Sequence, residues 1–339
     1  MDWEPPSGWP RIETVESHAG GEPLRVVVDG FPEIEGATIL EKRRYVREHH
    51  DELRSALMLE PRGHADMYGA LLTDPVTPDG DVGVLFTHNE GYSTMCGHGV
   101  IALGVVLPEL DLLELDPSDP TIELDTPAGR VTARPGVDGD RVSRVSFENV
   151  PSYVVSLDAT TQVPSYGSVT YDLAFGGAYY AYCDAIELGL DLADASEREL
   201  VEAGRAAKAA IADDVTISHP TDDDLGFLYG VILTDEPRAG GDVRNVCVFA
   251  DGEVDRSPTG TGVSGHLAIQ HARGALDAGE AFAVESIVGS TFTGSVQETV
   301  AFGGHDAVVP EVTGEAYVTG TSTFTVDPAD PFREGFVLR

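Results

Sequence analysis

One short pattern occurs twice in this chain and constrains its fold more than any other feature. A strand-like run at 82–86 is followed by a loop and the segment CGHGV at 96–100. A second run at 246–249 is followed by a loop and the segment TGTGV at 259–263. Each segment leads into an apolar stretch that suits a buried helix. The matching residues are few, but the shared order of strand, loop and helix indicates an internal duplication.

The remaining hydrophobic pattern predicts a mixture of strands and helices. Strand-like runs lie at 14–15, 24–28, 81–87, 144–147, 168–174, 178–183, 227–233, 245–249, 281–288, 296–302 and 315–325. Helix-like runs lie at 38–59, 99–107, 195–212 and 263–272, a hairpin pattern at 121–134, and an acidic, Pro-rich connection at 108–120. A Pro-, Gly- and Asp-rich segment near 135–143 marks a break. We expect an α/β (α+β) fold with a first half at 1–137 and a second half at 138–310.

The charge of the chain excludes some classes of function. The chain has 58 Asp and Glu against 21 Lys and Arg, and its net charge is −37. This excludes a nucleic-acid binder, because recognition of phosphate needs a basic face, and it argues against an anionic membrane surface. Only Lys42 and Lys208 are lysines. We interpret the acidity as adaptation to a salt-rich cytoplasm, since 1 M salt screens charges beyond about 3 Å.

The sequence also predicts where the protein works. The acidic, Pro-rich first residues lack the pattern of a secretory signal peptide, and no apolar run reaches the roughly 18 residues of a spanning helix. The three cysteines Cys96, Cys183 and Cys247 are too few for a disulfide scaffold. We therefore expect a cytoplasmic protein, with Cys183 and Cys247 in apolar strands of the core.

The Gly-rich segment around Cys96 has the residues of an anion site beside a reactive thiol. Glycines let a backbone approach a ligand closely, and free N–H groups at a helix start bind anions. Two such starts facing each other would hold one carboxylate. A cysteine at a helix N-terminus is expected to have a lowered pKa, which makes Cys96 a candidate base. The alternative is a buried structural cysteine. His98 either assists Cys96 or caps the helix.

The second copy of the pattern carries a different group. The Thr259 hydroxyl can form hydrogen bonds, but its pKa is far too high for acid–base work near neutral pH. The site would therefore have a base on one face only. Thr259 is alternatively a plain helix N-cap. Asp255, four residues earlier, either holds a cationic amine or is an ordinary loop residue.

Six stretches of the chain resemble the proline racemase family. The two most specific are MCGHG at 95–99 and DRSPTGTG at 255–262; the others are HAGGEPLR at 18–25, PRGHADMYGA at 61–70, HNEGYSTM at 88–95 and GGA at 176–178. The resemblance covers nearly the whole chain. It implies two pseudo-symmetric α/β halves around a central cleft, as in diaminopimelate epimerase, with the C-terminal segment, about 311–339, packing back on the first half. It gives His18 and His64 no chemical role.

The resemblance also implies a reaction. Racemases and epimerases of this family carry a second cysteine where this chain has Thr259, and threonine there is typical of the trans-3-hydroxy-L-proline dehydratase branch. Cys96 would remove the α-proton, the 3-hydroxyl would leave as water, and a pyrroline-2-carboxylate would form. By the same resemblance Thr259 holds the hydroxylated ring and Asp255 contacts the ring nitrogen. Gly97, His98, Gly260 and Thr261 would line the substrate site.

Two alternatives to the dehydratase stay open. A proline racemase or 4-hydroxyproline 2-epimerase would need water or Cys247 to replace the missing thiol. A non-catalytic paralogue would bind an imino acid without turning it over. In each case the resemblance implies a small-molecule ligand, no metal or organic cofactor, and a homodimer.

Overall fold

The computed structural model describes residues 4–116, 118–138 and 141–338. The other residues lie outside the described part and include parts of the acidic N-terminal segment, the 108–120 connection and the 135–143 segment. The strands are β1 (Arg11–Ala19), β2 (Glu22–Asp29), β3 (Tyr68–Thr73), β4 (Val82–His88), β5 (Ile122–Thr126), β6 (Gly129–Asp138), β7 (Arg141–Glu148), β8 (Ser152–Val163), β9 (Gly167–Phe175), β10 (Tyr179–Asp184), β11 (Leu228–Asp235), β12 (Val243–Phe249), β13 (Glu253–Asp255), β14 (Phe282–Glu285), β15 (Thr291–Phe302), β16 (His305–Gly314) and β17 (Ala316–Thr325). The α-helices are α1 (Ile39–His49), α2 (Asp51–Met58), α3 (Gly97–Glu109), α4 (Glu197–Asp214) and α5 (Gly260–Ala272), and short 3-10 turns lie at Ala185–Leu188 and Asp223–Leu225.

Most of the predicted elements are present, with corrections in detail. The predicted helix at 38–59 is two helices, because His50 between them has non-helical backbone angles of φ −141° and ψ 18°. Residues 135–138 belong to β6 rather than to a loop, and Pro135 pairs with Val145 of β7. The predicted hairpin at 121–134 is confirmed by the antiparallel pairing of β5 with β6.

Four strands were missed, and each has a physical reason. Strand β13 has only three residues, too few for an alternation pattern. Two register shifts interrupt the pairing of β8 with β9, so β8 shows no clean alternation of polar and apolar residues. Pro310 lies inside β16, where a proline argues against a strand. The short β3 contains Gly69, which also weakens the strand pattern. The outcome is a β-rich α+β fold with few helices.

The order of strand pairing repeats along the chain. From β1 to β6, consecutive pairs are antiparallel, parallel, antiparallel, parallel and antiparallel. The same senses recur in the series β9, β10, β11, β12, β14 and β15. In both series the loop-plus-helix segment follows the fourth strand. The topology therefore contains the duplication that the two Gly-rich segments indicate.

The two series are joined at their ends. The C-terminal strand β17 pairs with β1, the first strand of one series, and β8 pairs with β9, the first strand of the other series. β16 pairs with β7 and β8, so the barrel-like sheet is continuous across the repeats. We keep the division of the chain into halves at 137/138 as a proposal.

The two helices that follow the Gly-rich segments lie in the interior. The α3 residues 97–107 and the α5 residues 260–269 are all buried. Helices that are apolar on every side are stable only when surrounded by protein. Here α3 packs against β1, β7 and β17, and α5 against β8, β15 and β16. Among the described residues, no helix is both long and apolar enough to cross a membrane.

Candidate active site

The N-termini of α3 and α5 meet in the centre of the molecule. A Cβ atom added to Gly97 would lie 2.5 Å from the Cα atom of Gly260, and one added to Gly260 would lie 2.7 Å from the Cα atom of Gly97. Neither position has room for a side chain. The first N–H groups of a helix have no acceptor within the helix, so two sets of free donors and two positive helix ends converge here.

Cys96 is the N-cap residue of α3, in extended backbone conformation. Its Sγ atom accepts a hydrogen bond from the Gly99 N–H at 3.2 Å and lies 3.3 Å from His98 Nδ1. The side chain is buried, with the residue only 4% exposed. The thiol is therefore held at the helix start, next to an imidazole, as the sequence predicts for a candidate base.

The charge state of Cys96 differs from the expected one. Burial raises the pKa of the Cys96 thiol well above its ordinary value, the Gly99 N–H opposes this shift, and the nearby Asp255 carboxylate adds to it. The prediction of a lowered pKa is wrong, because loss of solvent outweighs the helix N-terminus. Burial also lowers the pKa of His98, so the pair is a neutral thiol beside a neutral imidazole.

Thr259 occupies the equivalent position in the second repeat but makes different contacts. It is the N-cap residue of α5 in the left-handed region, at φ 62°, and its side chain caps nothing. Its Oγ1 instead donates to Asp255 Oδ2 at 2.9 Å. A β-branched residue in this region is rare and strained. The alternative of a plain N-cap is therefore wrong for Thr259.

Asp255 is fixed by its neighbours at the end of β13. Its Oδ1 atom accepts from the Ser257 N–H at 2.7 Å, while Oδ2 accepts from Thr259 and lies 3.9 Å from His98 Nδ1. The carboxylate is buried, so it is not an ordinary loop residue. It faces both helix starts and is the negative group of the site.

The structure brings all the predicted site residues together around one small cavity. The cavity has a volume of about 10 Å³, which is the room of about one water molecule. Its lining contains Cys96, Gly97, His98, Asp255, Thr259, Gly260 and Thr261. Thr261 Oγ1 is also 2.8 Å from the Tyr180 hydroxyl.

Four aromatic residues of the cavity were not predicted: Tyr68, Tyr180, Tyr229 and Phe249. Tyr68 falls within the stretch 61–70 that resembles the family, but nothing in the sequence assigned it a role. The other three lie in runs that the pattern identifies only as strands. The hydroxyl groups of Tyr68 and Tyr229 are 3.1 Å apart, although the residues are far apart in sequence.

The remaining cysteines and histidines were predicted as structural. Cys183 and Cys247 are confirmed as buried strand residues, but Cys247 also lines the cavity. His18 Nδ1 accepts from the Gly21 N–H at 3.3 Å, and His64 is exposed on a loop. Within residues 4–116, 118–138 and 141–338, no cluster of three or more metal-ligating side chains is present.

A second buried carboxyl group, that of Glu22, contacts the residue that follows Asp255. Glu22 at the start of β2 is fully buried, and its Oε2 accepts from the Arg256 backbone N–H at 2.7 Å and lies 3.3 Å from Arg256 Nη1. Burial raises the pKa of Glu22 well above its ordinary value, and the Asp255 carboxylate raises it further. Arg256 thus links the first repeat to the loop that carries Asp255.

These features define a class: a duplicated α+β enzyme with a thiol-containing site between two central helices. The proline racemase family model matches residues 14–337, and the chain belongs to the proline racemase family.

Two relatives and one solved structure place the chain within that family. A protein from Colwellia psychrerythraea named trans-3-hydroxy-L-proline dehydratase is 46% identical over 97% of this chain and 93% of its own length. The Homo sapiens protein of that name is 45% identical over 98% of this chain and 96% of its own. The crystal structure of a hydroxyproline epimerase from Agrobacterium vitis, with bound trans-4-OH-L-proline, has a TM-score of 0.92 and 33% identity, covering 97% of this chain and 96% of that chain.

The contact between the helix starts predicts the effect of a single methyl group. We expect Gly97→Ala to lower the free energy of unfolding by about 1–3 kcal/mol, because the added Cβ must push the Gly260 backbone away. Urea denaturation measures this. Gly320→Ala in β17 is the control, since a Cβ there meets no atom within 4 Å. Equal stability of Gly97→Ala and the wild type would contradict the close contact.

The burial of Cys96 predicts its ionisation. A raised pKa means that the thiol stays protonated at neutral pH and ionises only above the ordinary cysteine value of about 8.5. The ultraviolet absorbance of the thiolate, taken as wild type minus Cys96→Ser, isolates this group from Cys183 and Cys247. A thiolate already present at neutral pH would show that the helix N-terminus outweighs burial.

Proposed function

We propose that the protein dehydrates trans-3-hydroxy-L-proline to a pyrroline-2-carboxylate without a metal or organic cofactor. The names of relatives that are 46% and 45% identical over nearly the whole chain support the substrate and the reaction. The site supports the chemistry, because one repeat provides a thiol and the other provides only a hydroxyl at the equivalent position.

The substrate carries a carboxylate and a secondary amine. The first-turn N–H groups of α3 and α5, from Gly97, His98, Gly260 and Thr261, bind the carboxylate between the helix starts. Asp255 accepts from the protonated ring nitrogen. Because the cavity holds about one water molecule, the two repeats must separate to admit the substrate. Their closure then excludes water from the reaction.

Cys96 is the base in this proposal. His98 Nδ1, 3.3 Å away, accepts the thiol proton in this proposal, since the imidazole is the nitrogen base beside the thiol. The thiolate then removes the α-proton. The helix N–H groups stabilise the negative charge that spreads from Cα into the carboxylate. Expulsion of the 3-hydroxyl as water gives an enamine, which tautomerises to the imine.

The contact between Thr259 and Asp255 carries the proposal. The Thr259 hydroxyl donates its proton to Asp255 at 2.9 Å, and its own acidity is far too low to protonate a carbanion near neutral pH. Thr259 holds the ring on the face opposite Cys96 but cannot deliver the proton that inversion at Cα requires. The carbanion-like species is therefore left to eliminate its hydroxyl group.

One observation favours a second candidate, a proline racemase or 4-hydroxyproline 2-epimerase. Cys247 lines the same cavity as Cys96 and Thr259. Burial raises the pKa of Cys247 well above its ordinary value, so it is a thiol that carries a proton. In this candidate, Cys247 delivers that proton to the face opposite Cys96.

We also propose a homodimer that works in a salt-rich cytoplasm. The resemblance to the family supports the dimer, and the net charge of −37 supports the salt-rich habitat. Sedimentation in molar and in dilute salt tests both points, since a dimer adapted to salt should dissociate or unfold when the salt concentration is lowered.

Incubation with three substrates separates the candidates. In molar salt, we expect cyclic imine from trans-3-hydroxy-L-proline and no change in the optical rotation of L-proline or trans-4-hydroxy-L-proline. Inversion of either of the last two without imine would establish a racemase or epimerase instead. Binding without any turnover would indicate a non-catalytic paralogue. Cys96→Ser is the control that should abolish imine formation.

One mutation can remove the Cys247 thiol, and another can add a thiol at position 259. We expect Cys247→Ala to keep dehydration, since this thiol has no part in the elimination. We expect Thr259→Cys to gain measurable racemisation of L-proline, because a second thiol then faces Cys96 across the site. Chiral chromatography of proline measures the gain. Loss of imine formation in Cys247→Ala, with an unchanged melting temperature, would contradict the one-thiol mechanism.

A further inference from the structure

We propose that Tyr68 is a catalytic residue that donates the proton to the leaving 3-hydroxyl group. This inference rests on the proposed function, which assigns the removal of the α-proton to Cys96 but no group to the departing oxygen. Hydroxide is a poor leaving group, and a positioned proton donor typically contributes about 10²–10⁴-fold to such a step.

The stereochemistry of the substrate says where the donor must lie. In trans-3-hydroxy-L-proline the hydroxyl and the carboxylate lie on opposite faces of the ring. The α-hydrogen is also on the face opposite the carboxylate, so it shares a face with the 3-hydroxyl. Because Cys96 takes the α-hydrogen, the leaving oxygen also faces Cys96. Thr259, Asp255 and Cys247 are therefore on the wrong side to protonate it.

Tyr68 is the side chain in the right place. Its side chain lines the same small cavity as Cys96, and the residue is only 3% exposed. Its hydroxyl lies 3.1 Å from the Tyr229 hydroxyl. A substrate oxygen that faces Cys96 in this cavity becomes a second acceptor for the Tyr68 hydroxyl proton.

His98 is the other polar group beside Cys96, and its position suits a different role. Its Nδ1 atom lies 3.9 Å from Asp255 Oδ2, the carboxylate proposed to hold the ring nitrogen. The ring nitrogen and C3 are bonded to opposite sides of Cα, so a group directed to the nitrogen is directed away from the 3-hydroxyl. The Tyr68 ring stands edge-on to His98, with centroids 4.8 Å apart.

The proton transfers balance over one turnover. The Cys96 thiolate takes the α-hydrogen as a proton, and the electron pair forms the Cα–C3 double bond as the C3–O bond breaks. Tyr68 gives its proton to the departing oxygen, which leaves as water. The tyrosinate then takes the proton from the neighbouring Cys96 thiol, while Tyr229 donates a hydrogen bond to the transient tyrosinate. This restores the Tyr68 hydroxyl and the Cys96 thiolate, and the proton that His98 accepted at the start returns to Cys96 when the product leaves.

A substrate whose leaving group needs no proton tests this role. Fluoride departs without protonation, so trans-3-fluoro-L-proline has the same α-hydrogen and the same geometry but does not need the acid. For Tyr68→Phe we expect the kcat for loss of water to fall by about 10²-fold or more. We expect fluoride release, measured with an ion-selective electrode, to stay close to the wild-type rate. Retained fluoride release also shows that the variant is folded.

Tyr153→Phe is the matched control. Tyr153 is as buried as Tyr68 and its hydroxyl lies 2.5 Å from the Tyr179 hydroxyl, but neither residue lines the cavity. The Tyr153→Phe variant loses one hydroxyl of a buried tyrosine pair and should keep both the loss of water and the release of fluoride.

Three other outcomes overturn the assignment of Tyr68. Equal loss of both reactions in Tyr68→Phe would show that it acts before the leaving group departs. No loss of either would give the proton transfer to another group, such as Cys96 itself. If the wild type dehydrates nothing, the proposed function fails first and the role of Tyr68 fails with it.

Discussion

The meeting of two helix N-termini at Gly97 and Gly260 is the constraint on which the rest of the structure depends. Their backbones approach so closely that a single methyl group at either position would overlap the other helix. This contact requires both helices to enter the core, where they are buried on every side and enclosed by strands. The continuous sheet, closed by β17 on β1 and by β16 on β7, provides that enclosure. The site is therefore built from backbone first, and its side chains are placed by the helix starts.

Duplication explains why the site has two faces, and divergence explains why they differ. Cys96 and Thr259 hold the same N-cap position in equivalent repeats, yet one adopts an extended backbone and the other a left-handed one. The change in backbone turns the Thr259 hydroxyl away from its own helix and toward Asp255. The first repeat keeps a thiol that contacts an imidazole, while the second keeps a carboxylate that a hydroxyl anchors. In the proposed mechanism the duplicated scaffold therefore has one proton acceptor at Cα rather than two, which favours elimination over inversion.

The sequence predicted those features that depend on local pattern and missed those that depend on tertiary contact. The repeated Gly-rich segments and the buried helices follow from motifs and spacing, and the convergence of Cys96, Asp255 and Thr259 follows from the resemblance to the proline racemase family. The raised pKa of Cys96 could not be predicted from the local pattern. A helix start lowers the pKa of a thiol locally, whereas complete burial raises it, and burial is a property of the whole fold. The pairing of Tyr68 with Tyr229 brings together residues of β3 and β11, one from each repeat. Strands β8 and β16 were missed because register shifts and Pro310 hide their alternation.

The source of positive potential at the site fits the unusual composition of the chain. Only two lysines occur in a chain with a net charge of −37, which fits the proposed adaptation to salt. A site that bound the substrate carboxylate with lysine side chains would oppose that trend. Arg256, the cation beside Asp255, is already held by Glu22 and Asp66. Backbone N–H groups at two helix starts have no such conflict, since their partial charges do not depend on side-chain composition. The same backbone site can therefore persist while the surface around it becomes strongly acidic.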